Sequence, residues 1–403
     1  MSKASTYIWT VAVIVIVVVG GILLSRDRAN GPSTEGTANE EVAVEETGPI
    51  LLGGLAPLTG DAAVYGIGDQ QAKTLAIEEI NAAGGINGRE LQITWQDGKC
   101  DGAIATSGVQ KLLSVDKVKV VLGGSCSGET LAALEITEEA GALLLSGLAS
   151  SPDLTGKGKL FFRTYPSDAF SGSLLATHAR DTLKLEKLAV ISENTDFAQG
   201  LRNTFVSTFK EKNGTILYDE TFNTGETDFR TQITKIKAMK PDVIYVSTQT
   251  VGPAELILKQ LSEQGVDVVL YGSDPVLDRT AIEKNPTLFE GIYGSEVDVN
   301  TTNSKTAAFA SAYKARWGTE PEFLGYFAAA YDSVYLLAEA MKVTNSTEPE
   351  KIAEYFRTQV KEWQGAVGTF NFDGTDGVLG FKVKRILGGV IGDATAPAST
   401  TQE

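Results

Sequence analysis

Residues 50–60, ILLGGLAPLTG, read as a strand that leads through Tyr65-Gly66 into a helical segment ending at residues 80–90, INAAGGINGRE; residues 91–101, LQITWQDGKCD, add a second strand and a cysteine. Apolar runs punctuated by Gly, Pro and Asn in this order make one βαβ unit. Its loop after the first strand sits where open α/β sheets hold ligands. The same grammar continues down the chain. LQITW, VKVVLGG, ALLLSGL, KLAVISE, TILYDETF, DVIYVST and DVVLYGS are short runs rich in Val, Ile and Leu, bounded by Gly, Asn, Asp or Ser. Parallel strands buried on both faces have this composition. Between them the spacing turns helical: Ala254, Ile257, Leu258 and Leu261 recur in GPAELILKQLSEQG, with Gly252-Pro253 at the start and Gly265 at the end. Thr74 to Gly84 and Gly128 to Gly141 follow the same pattern. Regular βα alternation predicts parallel sheets covered by helices on both faces.

The C-terminal part differs. Helical segments at Lys305 to Trp317, Phe323 to Lys342 and Ile352 to Val360 precede AVGTFNFDGTDGVLGFKVKRILGGVI, which reads as antiparallel strands with turns at Asp373-Gly374 and Asp376-Gly377. Residues 393–403 read as a disordered tail.

At 403 residues the chain suits two lobes of ordinary domain size, and its 42% hydrophobic and 21% charged residues are those of a globular protein. A formal net charge of -16 argues against nucleic acid as a partner, because phosphates would be repelled. Tyr7 to Leu24 is a run of 18 residues without a charge. It approaches the length that spans a bilayer and exceeds a usual signal-peptide apolar region. No small-x-small cleavage site and no lipidatable cysteine follow it, so residues 7–24 are read as a retained transmembrane anchor, with a cleaved signal as the second reading. Residues 25–49 carry too little apolar surface to order themselves and form an acidic linker.

Cys100 and Cys126 are the two cysteines of the chain. In an exported protein they form a disulfide, which in the chain-entropy model stabilises by roughly 3 to 4 kcal/mol for a loop of this size. In a cytosolic protein they would be buried thiols, and the anchor favours the disulfide. With one histidine and two cysteines, soft ligands are too few for a zinc or copper site, and no cofactor is expected.

Together these stretches resemble a known family, the type I periplasmic binding proteins, in the branched-chain amino-acid-binding branch that serves ABC importers. The resemblance rests on the order and spacing of APLTGDAAVYG, AIEEINAAGGINGRELQI, DGKCD, GGSCSG, LLLSGLASSPDLT, FFRTYPSD, GTILYDETFNTGETDF, PDVIYVS and GYFAAAYDSVYLL, from Ile50 to about Val390. It implies an α/β fold of two doubly wound parallel-sheet lobes joined by a three-segment hinge, preceded here by one N-terminal transmembrane helix. The expected lobes are residues 50–165 with 296–370, and residues 166–295 with 371–392. The crossings are expected near Arg163 to Ser167, Gly294 to Val297 and Thr369 to Gly374.

The resemblance also implies a pocket. Tyr65, in the loop after the first strand, would line the cleft. Ser127, at the start of a helix, would meet a ligand carboxylate, where free N–H groups and a partial positive charge favour an anion. Ser150, with the backbone of Leu148 and Ala149, would complete that grip. From the other lobe Phe197 would close over the ligand and Asp274 would hold its ammonium group, while Tyr326 would line the side-chain pocket. Other roles are open for the same residues: helix caps for the serines, a turn for Asp274, core packing for Phe197 and Tyr326. Phe197 lacks the hydroxyl found in some relatives, Leu148 is bulkier than usual, and Asp274 is a methylene shorter than Glu, so the preferred side chain stays open.

The implied function is capture of an amino acid or related small polar metabolite by hinge closure, for delivery to an ABC permease outside the cytoplasm, with no reaction catalysed. A ligand-sensing ectodomain working with a separate signalling partner is the alternative. A nucleotide-using enzyme is disfavoured, since no GxGxxG follows the first strand and no GxxxxGK[ST] occurs. The sole histidine, His178, is expected on a surface helix without a nucleophile beside it.

Overall fold

Alternate residues of the buried strands pack on opposite faces of two sheets. Leu52, Leu122, Leu145 and Phe162 join one apolar cluster, while Leu55, Val121, Leu144 and Phe161 join the cluster on the other face. In the second sheet Leu188, Val190, Val243 and Tyr245 face one side, and Ala189, Ile191, Ile244 and Val246 the other. Burial on both faces is why these runs contain almost no polar residues.

The computed structural model describes residues 48–394. The expected anchor at Tyr7 to Leu24, nearly all of the linker and residues 395–403 lie outside the described residues. Among the described residues no helix is long and apolar enough to cross a membrane.

The first sheet has eight strands in the order Trp363–Gln364, Thr369–Asp373, Asp376–Val378, Phe161–Arg163, Leu143–Ser146, Val120–Gly123, Ile50–Ala56 and Leu91–Asp97. All pairings are parallel except the two among the first three strands. The second sheet has seven strands, Val390–Asp393, Phe381–Leu387, Tyr293–Val297, Val269–Gly272, Val243–Ser247, Lys187–Glu193 and Thr215–Phe222. Its first two strands run antiparallel to their neighbours and the rest are parallel. Helices cover both sheets, giving two α/β lobes.

The chain passes between the sheets at residues 164–167, 298–303 and 379–380. The last two differ from expectation. Gly294 to Val297 lie within the second sheet, so that crossing begins at Asp298. Thr369 to Gly374 is not a crossing, because strand Thr369–Asp373 pairs with Asp376–Val378 and so belongs to the first sheet. Phe370, fully buried in the first lobe's core, and Phe372, packed against it, hold the hairpin there. Residues 371–378 therefore belong to the first lobe. Asp376-Gly377 is strand and not turn. The second turn lies instead at Gly388-Gly389, whose φ values of 60° and 75° suit a tight hairpin connection. Asp393 is not part of a disordered tail either, since it pairs with Lys384 in the edge hairpin.

Tyr65 is also differently housed. The helix expected from Thr74 begins at Ala63 and runs to Ala82, so Tyr65 lies in its first turn and not in a loop. Gly66 and Gly68 made the segment look like a turn, but they serve close packing. A Cβ on Gly66 would lie 2.0 Å from the Pro57 carbonyl oxygen, and one on Gly68 would lie 1.9 Å from the Phe327 ring. Cys100 and Cys126 are joined as a disulfide with Cα atoms 5.4 Å apart. Glu129 secures both ends of it, accepting the Cys100 N–H at 2.7 Å and the Cys126 N–H at 3.2 Å. Burial pushes the Glu129 carboxyl up to about 7, with those two hydrogen bonds opposing the rise.

A buried guanidinium ties the hinge together. Arg163 donates from Nε to Asp376 Oδ1 and from Nη2 to Oδ2, both at 2.8 Å, and from Nη1 to the carbonyl of Ser151 at 2.8 Å. One side chain thus joins the C-terminal hairpin to residues 149–155. Arg163→Met should cost about 3–5 kcal/mol in chemical unfolding, because it strands a buried carboxylate, and adding Asp376→Leu should recover part of the loss. A single-substitution cost no larger than that of a surface residue would remove Arg163 from this role.

Candidate ligand cleft between the lobes

Every segment that borders the cleft follows a parallel strand or opens a helix, as the topology of open α/β sheets requires. Tyr65 opens the helix after Ile50–Ala56, Ser125 to Ser127 follow Val120–Gly123, and Leu148 and Ser150 follow Leu143–Ser146. The second lobe contributes Phe197 after Lys187–Glu193, Gln249 after Val243–Ser247, and Asp274-Pro275 after Val269–Gly272. Tyr326 enters from helix Leu324–Thr344. These residues enclose a cavity of about 30 Å³. So small a space means that the lobes stand close together, and a ligand can enter only when they open.

Of the residues expected from sequence, Tyr65, Ser127, Leu148, Ser150, Phe197, Asp274 and Tyr326 all border this cavity, and Ala149 does not. The amide N–H groups of Leu148 and Ala149 are occupied, both donating to Ser146 Oγ at 3.3 and 3.0 Å. Neither is free for an anion in this conformation. Ser127 is the first residue of helix Ser127–Glu139, so it is not a cap. Its Oγ accepts the Ser151 N–H at 3.1 Å, and no described residue takes its proton. That proton is left for the cleft, beside the helix N-terminus. Ser150 caps no helix; Ser151 caps the turn that follows.

The opposite charge is concentrated across the cleft. Asp274 is buried, with Oδ2 accepting from Tyr326 Oη at 2.7 Å and Oδ1 without a hydrogen-bond partner among the described residues. Burial pushes its carboxyl up to about 6, against the Tyr326 hydrogen bond, which lowers it. Asp168, missed by the sequence reading, is fully buried, and neither of its oxygens has a partner among the described residues. Burial first, then the charge of Asp274, raises it well above the usual carboxylate range, while the nearby Ser150 hydroxyl and Arg163 oppose that rise. Ser167-Asp168 read only as a helix start in the sequence, and Ser167 does cap that helix. No local pattern reported that the carboxylate beside it turns inward. The phenol of Tyr65 is buried and unpartnered, and burial raises it well above its ordinary value, so it stays neutral.

Aromatic rings form the remaining wall: Tyr326 stacks on Tyr165 with centroids 4.3 Å apart, and Tyr65 lies 4.9 Å from Phe323. The lobes meet closely elsewhere. A Cβ on Gly200 of the second lobe would lie 2.7 Å from Pro152 Cδ and 2.9 Å from Ser151 Oγ of the first. At the rim, Glu322 accepts the Arg279 N–H at 2.9 Å. A larger void of about 590 Å³ lies beside the hinge and shares Asp274 and Tyr326. Its lysines are paired, Lys382 with Asp298 at 2.8 Å and Lys384 with Asp393 at 2.6 Å, whereas the unpartnered atoms of Asp274 and Tyr65 both border the smaller cavity. His178 is remote from this chemistry. It is half-buried, hydrogen-bonded to Tyr271 Oη at 2.6 Å, and not on an open surface helix as expected.

Comparison with known proteins gives a consistent result. The sequence pattern of the family described as "Periplasmic binding protein" matches residues 49–383. The Leucine-, isoleucine-, valine-, threonine-, and alanine-binding protein of Pseudomonas aeruginosa is 29% identical over 331 residues, covering 81% of this chain and 86% of that one. The Leu/Ile/Val-binding protein homolog 1 of Brucella suis is 30% identical over 325 residues, covering 80% and 86%. Among solved structures, the branched-chain amino acid transporter substrate binding protein LivJ of Streptococcus pneumoniae, in complex with isoleucine, is 30% identical with a TM-score of 0.76, covering 85% of this chain and 97% of that one. With its two lobes, its three crossings and a match over most of its length, the chain belongs to the periplasmic binding protein family.

Proposed function

We propose that the protein captures an α-amino acid outside the cytoplasm by closing its lobes and delivers it to an ABC permease. The observation that carries this reading is the separation of charge preference across the cleft. On one side lie the Ser127 hydroxyl and a helix N-terminus, which favour an anion. On the other lies Asp274, a buried carboxylate with one oxygen unpartnered, whose charge also acts on the fully buried Asp168. A zwitterion with carboxylate and ammonium a few ångströms apart answers both demands at once. The relatives' names, which refer to branched-chain and small amino acids, support the same class.

Because the two demands come from different lobes, a ligand satisfies both only when the lobes are together. Binding therefore shifts the population toward the closed form, which a permease can recognise. The apolar run Tyr7 to Leu24 is proposed as the membrane anchor and the acidic segment after it as the tether, with a cleaved signal as the second reading.

Two substitutions probe this reading. Asp274→Asn should weaken leucine or threonine by about a hundredfold in calorimetric titration, yet change the deaminated carboxylic acid of the same skeleton much less. Equal losses for both ligands would take Asp274 out of the ammonium site. Gly200→Ala should act with opposite signs on two readouts. A mid-helix glycine costs roughly 0.5–1 kcal/mol relative to alanine, so the unliganded protein, whose lobes are free to part, should melt no lower, while ligand affinity falls because the new methyl meets Pro152 when the lobes are together. Unchanged affinity would mean that the bound form does not bring these surfaces together.

A further inference from the structure

The cleft holds two serines of opposite hydrogen-bond polarity. Ser127 has its oxygen occupied and its proton free. Ser125, also buried and on the cavity wall, is the reverse: its Oγ donates to Asp69 Oδ2 at 2.9 Å. Asp69 and Lys73 lie one turn apart on helix Ala63–Ala82, both fully buried, with Lys73 Nζ 2.8 Å from each oxygen of Asp69. The Asp69 carboxylate, paired with the Lys73 ammonium, serves as the acceptor of the Ser125 hydrogen bond. The Ser125 proton is thereby committed, and the oxygen offers the cavity only lone pairs.

A fully buried ion pair is a poor way to gain stability, since apolar residues of similar volume often do as well or better. Its position directly behind a cleft serine gives it another use. Resting on the assignment of the cleft to an α-amino acid, we propose that Ser125 is a specificity-determining residue, fixed as an acceptor by the Asp69–Lys73 pair, and that the ligand's side chain carries a hydrogen-bond donor. The main-chain groups of the ligand are already matched, the carboxylate to Ser127 and the ammonium to Asp274. Ser125 therefore faces a third group. A purely aliphatic side chain would close the cleft over the Ser125 lone pairs and the unpartnered Tyr65 hydroxyl, leaving buried polar atoms unmet. A hydroxyl or amide side chain satisfies them, and Gln249 on the same wall adds further polar capacity.

Threonine and valine match in shape and differ in the hydroxyl, so they separate the possibilities. In calorimetric titration of the full chain, threonine should bind about tenfold more tightly than valine. In Ser125→Ala the ratio should fall to near one, with valine affinity kept or improved. Valine binding as tightly as threonine to the unaltered protein overturns the proposal without recourse to any variant. So does an equal loss for both ligands in Ser125→Ala. Failure of every amino acid to bind would overturn the underlying assignment of the cleft as well, and that result is distinct from the other two.

Discussion

Two buried carboxylates without a cation set the terms for this cleft. Asp274 borders the cavity where the lobes meet, and its charge raises the cost of ionising the fully buried Asp168. The one guanidinium close to Asp168 belongs to Arg163, which Asp376 already occupies on two hydrogen bonds. Burial of acid without a counter-charge is costly, and proteins keep it where a ligand supplies the missing charge. The closed arrangement is thus incomplete in its own chemistry. What completes it must be positive on this side and negative at Ser127.

The rest of the fold delivers those groups. Parallel strands buried on both faces end at a common edge, and the turns beyond them or the first turns of the helices that follow carry every cleft residue except Tyr326, which lies in the first turn of helix Leu324–Thr344. Rigidity comes from behind. The disulfide and Glu129 hold the turn that presents Ser125 and Ser127, and Arg163 holds residues 149–155 against the C-terminal hairpin. Glycines at Gly128 and Gly200 let the lobes approach, since a side chain on either would strike the opposite lobe. Tyr326 and Asp274 then join across the gap.

Much of this was legible in the residues. Runs such as KLAVISE and DVIYVS can only be strands buried on both faces, and Gly252-Pro253 with Gly265 brackets a helix that the structure gives as Val251–Glu263. What escaped reading depends on contacts distant in sequence. Gly66 and Gly68 imitate a turn, but their reason is a carbonyl and a phenyl ring packed against them. The hairpin at residues 369–378 stays with the first lobe because Phe370 and Phe372 find their partners there. Asp168 looks like an ordinary first-turn acid until the opposing lobe covers it. Ser125 carries no sequence mark of its polarity, which comes from an ion pair more than 50 positions earlier.

The central claim, that a ligand ammonium completes the buried acids, is tested most directly by counting protons. Asp274 has its carboxyl raised to about 6 before ligand arrives, and Asp168 is raised as well. A bound ammonium favours their ionised forms and lowers both, so binding must expel protons, and affinity must fall as pH drops through about 6. Titration of threonine near that pH, in buffers of different ionisation enthalpy, should report net proton release. Proton uptake, or no exchange at all, would contradict the account.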